Sequence, residues 1–169
     1  MSETEFIADV IDQAAHGEAW HGPALQDAVA GVTAEDASRR PIDGAHTIWE
    51  IVAHVTVWAR EVERRLRERA RPVDAAADWP TPPNGDADAW DAAKSGLLDA
   101  HHRLRQTIRE FPPQRLPEQV PGTSDESHAS FYMMLHGLAQ HDAYHAGQIA
   151  MLRKALAAAA TGAPLSQVV

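Results

Sequence analysis

The sequence predicts an all-α protein, a four-helix bundle with a long crossover between its second and third long helices. Three observations carry that expectation. Apolar residues recur at helical spacing along most of the chain, strand-like alternation is nearly absent, and two proline-rich stretches divide the periodic segments. With 169 residues the chain can bury one real core, expected over residues 1–162, and residues 163–169 read as a loose tail.

The first helix starts at Ser2, whose S-x-x-E pattern with Glu5 is a capping box, and runs through Phe6, Val10, Ile11 and Ala14. Gly17, Gly22 and Pro23 interrupt it. A second piece with Leu25 and Val29 continues past that kink, and Thr33 with Asp36 starts a short extra turn. The next long helix opens on a capping box of Thr47 and Glu50 and is expected to reach about Ala70. Its buried stripe is Ile48, Ile51, Val52, Val55, Ala59, Val62 and Leu66; arginines at 60, 64, 65, 67 and 69 form a solvated face that suits the helix dipole.

Residues 71–85 contain Pro72, Pro80, Pro82, Pro83 and Gly85 and cannot continue the helix. About fifteen extended residues span on the order of 50 Å, more than the roughly 35 Å of the preceding helix. The loop can therefore return along the bundle and leave its flanking helices parallel. A third long helix follows from about Asp86 to Phe111, with Trp90, Ala93, Leu97, Leu104, Ile108 and Phe111 on one face. After Pro112, Pro113, Pro117 and Pro121, the last helix is expected to begin near Ser124 to Ser127 and to end near Ala160, before Gly162 and Pro164.

Composition removes several function classes. The formal charge of -9 repels nucleic acid and anionic lipid. The absence of cysteine excludes disulfides, thiolate metal ligands and a cysteine nucleophile. The N-terminal MSETEFIADV lacks a signal pattern and no apolar run is long enough to span a bilayer, so a cytoplasmic, soluble protein is expected. P-loop, G-x-S-x-G, H-E-x-x-H and Gly-rich dinucleotide motifs are missing. What stands out is ten histidines.

In the last helix, Met134, Leu138, Ile149, Leu152 and Leu156 define an apolar stripe, and His141 and His145 fall within about 40° of its centre. His136 lies nearly opposite and reads as a surface residue. Two imidazoles one turn apart on a buried face either find separate hydrogen-bond partners or share one divalent cation. A third ligand must come from a facing helix, and two candidates compete. His101 sits on the stripe of the third long helix; His54 sits at the edge of the second's, roughly 90° from its centre and close to Trp58 in phase. Phase favours His101.

The segments WEIVAHVTVWAR and LHGLAQHDAYHAGQIAMLRKAL together resemble the DinB/YfiT-like superfamily of four-helix metal-binding proteins, and AWHGPAL, GAHTIWE and the Trp79-Pro80 loop resemble one branch of it. The resemblance implies a metal held by one histidine of the second long helix and an H-x-x-x-H pair of the fourth, here His54, His141 and His145. It also implies two parallel central helices joined by a crossover, and a homodimer. Around the site, Glu50 is placed either to accept the far N–H of His54 or to complete the helix cap. Asp142, Tyr144, Gly147 and Gln148 flank the pair, and His21 lies at the break of the first helix.

Three neutral imidazoles leave coordination positions open, the pattern of a catalytic site. Zinc or nickel is the expected ion. Such a site supports either hydrolysis or deprotonation of a small thiol for attack on an electrophile. The superfamily's thiol-dependent branches imply the second, an S-transferase using a low-molecular-weight thiol such as bacillithiol or mycothiol. A non-enzymatic staple or stress-related metal-binding homodimer is the remaining reading. The expected partner is a small-molecule substrate; the arginines at 103, 105 and 153 could meet an acidic one, and solvent exposure explains them equally well.

Overall fold

The computed structural model describes residues 1–68, 70, 73–82, 85–122 and 130–162. Among them are seven α-helices and no β-strand: α1 (Glu3–His16), α2 (Leu25–Val29), α3 (Ala34–Ser38), α4 (Ile48–Arg67), α5 (Ala75–Asp78), α6 (Ala87–Glu110) and α7 (Phe131–Thr161). The four long ones, α1, α4, α6 and α7, form the bundle.

Local chemistry sets the helix ends. Ser2 with Glu5 and Thr47 with Glu50 form complete capping boxes, and Thr33 caps α3. α4 stops at Arg67, a few residues short of the expected Ala70. α7 begins later than expected. Ser130 caps it by accepting from the Met133 N–H, and the loop carbonyls of Glu118 and Leu116 take the N–H groups of Phe131 and Tyr132. The expected start at 124–127, like the tail at 163–169, Pro72, Pro83 and Arg69, lies outside the described residues. Gly162, in the left-handed region at φ 67°, closes the other end of α7.

Paired residues give the topology. Trp49 meets Trp90, Glu63 meets Arg103 and Arg67 meets Thr107, numbers that rise together, so α4 and α6 run parallel. Asp12 pairs with Arg105 and Asp9 with Arg109, so α1 runs against α6. α7 runs against α4, because Val52 shares one core cluster with Ile149 and Leu152 while Leu66 shares the other with Phe131 and Leu135. The long connection thus crosses over, as its length predicts, and carries the short helix α5 on the way. Where it re-enters the bundle, a Cβ at Gly85 would collide with the Trp49 ring, so that close approach requires glycine.

Every residue of the predicted α4 stripe is buried. In α1 the outcome differs: Phe6 and Val10 are exposed, while Thr4, Ile7, Ala8, Ile11, Ala14 and Ala15 make the inner face. α2 does not continue α1; the chain breaks between them and α2 packs against α7. Among the α4 arginines, Arg64 and Arg65 both bond along their own helix to Glu61, at 2.7 and 2.6 Å, and Arg67 reaches Thr107 of α6. No described helix is long and apolar enough to cross a membrane.

Candidate metal centre

α4 and α7 meet where His54, His141 and His145 come together, each offering a ring nitrogen within 4.8 Å of the others. The Nε2 atoms of His54 and His145 lie 2.9 and 3.1 Å from that of His141. About 3.3 Å separates ligands held 2.0–2.1 Å from a tetrahedral ion, so these two separations fall short of that spacing by only a few tenths of an ångström.

The protons decide what this cluster can do. Nδ1 of His54 faces the Asp78 carbonyl oxygen at 2.8 Å, and Nδ1 of His145 faces Oε1 of Gln148 at 2.7 Å. Carbonyl oxygens only accept, so each neutral ring carries its proton on Nδ1 and turns a bare Nε2 lone pair inward. His141 has at most one Nε2 proton and cannot serve both lone pairs. One cation can serve all three. Burial pushes the His145 imidazole down to about 4, and the neighbouring His141 adds to the effect. Burial also lowers His54, partly offset by its hydrogen bond to Asp78, with His141 lowering it further. Both rings are thus held in the neutral state a metal ligand needs.

His54 reaches this position because the crossover covers it. Trp79, next to α5, stacks on the His54 ring at 3.9 Å and 7°, and His46 stacks on the other indole face at 3.6 Å. Asp78 receives the Trp58 indole N–H at 2.7 Å on the carboxylate oxygen that sits 3.2 Å from Nδ1 of His54. Asp78 and Trp58 therefore belong to the site, although Asp78 carries no periodic signal in a helix of four residues. Glu50 does not touch His54. It closes the α4 cap and takes the Arg40 guanidinium at 2.8 Å, so the capping alternative holds.

His101 is a core residue. It is 1 % exposed; Nδ1 faces the Leu97 carbonyl at 2.9 Å and Nε2 faces an Asp142 carboxylate oxygen at 3.2 Å. Both partners accept, so both nitrogens carry protons and the pair is a buried imidazolium and carboxylate. Burial works against either charge, but their attraction raises His101 and holds Asp142 below the usual carboxylate range. His136 is half-buried against the Tyr132 ring, and His21 is exposed and does not line the site.

The triad lies in a cavity of about 480 Å³ walled by Trp58, Val62, Trp79, Met134, Leu138 and Tyr144. A second depression of about 630 Å³ lies beyond Tyr144 and reaches Gln148 and His46, but none of the triad lines it. Arg103, Arg105 and Arg153 line neither; they bond to Glu63, to Asp9 and Asp12, and to the carbonyls of Asp27 and Ala28.

No curated protein and no solved structure gives a significant match to the chain. The family profile of the DinB superfamily matches residues 19–149, a span that contains α4, the crossover, α6, all three triad histidines and most of α7. With that match over most of its length, and with the crossed-over bundle and histidine cluster already described, the chain belongs to the DinB superfamily.

Proposed function

We propose that this protein binds one divalent metal ion, zinc or nickel, through His54, His141 and His145, and uses it as an enzyme of the small-thiol S-transferase type. The observation that carries the reading is the pair of Nε2 lone pairs, His54 and His145, that a single His141 proton cannot satisfy, at the wall of a cavity large enough for a small molecule. A bound divalent ion would supply Lewis acidity, which lowers the pKa of a coordinated donor such as a thiol. The chain's own part is to keep the rings neutral, to fix their tautomers through Asp78 and Gln148, and to hold bulk water away with Trp58, Trp79 and Leu138. A low-molecular-weight thiol as co-substrate fits a chain with no cysteine of its own.

The test is turnover of an electrophile such as 1-chloro-2,4-dinitrobenzene by the zinc-loaded protein. Rate enhancement that needs both metal and a small thiol is the expected result. Ester hydrolysis without thiol would make the protein a hydrolase, and neither activity with one ion per chain would make the ion a structural staple.

The same reading includes a cytoplasmic homodimer acting on a small molecule, with neither nucleic acid nor membrane as partner. Support for the dimer comes from α7, where Met133, Gly137, Gln140, Tyr144, Gly147 and Met151 form an exposed, uncharged seam at alternating spacings of four and three. Solution mass tests it; a monomer at high concentration overturns it.

A further inference from the structure

We infer that the molecule anchored at the triad carries no anionic group apart from its metal-binding head and has an aromatic or branched apolar body. This rests on the metal reading above. The triad nitrogens share the cavity lining with Trp58, Val62, Met134, Leu138 and Tyr144, which supply apolar surface. The Trp58 N–H is engaged with Asp78, and the Tyr144 oxygen accepts from the Gln148 amide at 2.9 Å, which leaves the Tyr144 O–H as a neutral donor at the wall. Among the described residues no lysine or arginine lines the cavity, and the one charged side chain that does, Asp78, is an acid. An anionic body would shed its water, gain no cation and face a carboxylate. A ring instead meets three aromatic walls in edge or stacked contact.

The experiment begins with elemental analysis of the zinc-loaded protein and then compares two thiols of equal head group, 2-phenylethanethiol and 3-mercaptopropionate, by calorimetry and tryptophan quenching. The aryl thiol is expected to bind at least about tenfold more tightly. Met134→Lys, a change at a half-buried wall position, is expected to erase that preference and Met134→Leu to keep it. Equal or tighter binding of the carboxylate, or indifference to Met134→Lys, overturns the inference alone. A protein that takes up no zinc overturns the metal reading and this inference with it.

Among the described residues, two buried atoms beside the triad lack partners. Nδ1 of His141 and Oδ1 of Asp142 each make no hydrogen bond, yet they lie 3.7 Å apart. We propose that Asp142 is the positioning residue of His141. Its other oxygen is engaged by His101, whose two protons balance the carboxylate charge, and Oδ1 is left to take the His141 Nδ1–H. Closing that gap by somewhat under 1 Å makes an ordinary hydrogen bond. It also bares Nε2 of His141 for an ion, as Asp78 and Gln148 do for His54 and His145.

Asp142→Asn is expected to weaken zinc binding about 10- to 100-fold in a competition titration against a chelator, whereas His101→Gln, which disturbs only the core side, changes it less than about threefold. In the zinc-loaded native protein the His141 Nδ1 proton is expected to be visible by nitrogen-15 NMR and protected from exchange. Native affinity in Asp142→Asn, an equal loss in His101→Gln, or an Nδ1 proton in fast exchange overturns the assignment. The native spectrum decides even if Asp142→Asn does not fold.

Discussion

Two histidine environments lie on either side of Asp142, and they solve the same problem in opposite ways. His101 is enclosed in the core between two acceptors, so it carries both protons and a positive charge. His54 and His145 each have one acceptor and face another imidazole, so they remain neutral and present lone pairs. Burial alone does not make an imidazole a ligand. What its second nitrogen meets decides the role.

The largest expected effect separates the two environments by metal. His145→Ala removes one of three ligands and is expected to lower zinc affinity by more than about a hundredfold, measured by elemental analysis and chelator competition. Helical content by circular dichroism should stay native, since the cavity wall is already open. Loss of metal together with loss of fold would mean that the ion staples the bundle.

His101→Leu should do the reverse. It strands the Asp142 carboxylate in the core and is expected to cost about 3–5 kcal/mol in urea unfolding while the triad histidines remain. A loss below about 1 kcal/mol would show that the pair is not the buried ion pair its hydrogen bonds imply.

Acidity sharpens the contrast because the signs differ. The folded His145 titrates at about 4 and the unfolded ring near 6.5, so the unfolded chain takes up a proton first and the metal-free protein loses stability as pH falls from about 6.5 towards 4. The loss is on the order of 3 kcal/mol at full extent, and His145→Gln should flatten it. His101 is raised, so its contribution is present below about 6.5 and is lost as pH rises past its folded value. Denaturation midpoints against pH in the two single variants check both slopes.

The smallest effect concerns Glu50→Gln. Glu50 serves a cap and an ion pair with Arg40, so the change is expected to cost about 1 kcal/mol and to leave metal affinity unchanged. A fall in affinity would return Glu50 to the site.

The capped starts of α1, α3 and α4 and the α4 stripe were legible because capping and apolar spacing act within a few residues of themselves. The parallel α4 and α6 pair was legible from loop reach. The choice between His54 and His101 was not, since phase measures only a helix's own stripe. His54 lies at the edge of that stripe and is buried because Trp79 from the crossover covers it. Asp78 escaped notice for a related reason: its contacts depend on how a proline-rich connection lies across α4. Phe6 and Val10 show the same limit in α1, where Ala8 and Ala15 are buried beside Ile7 and Ile11 while these two larger side chains remain outside.

That connection has a consequence for redesign. The stretch between α4 and α6 is both the tether that fixes their common direction and the roof over His54. A circular permutant opened within it could keep four long helices packed and still leave the triad uncovered. Topology and chemistry in this chain are edited at the same place.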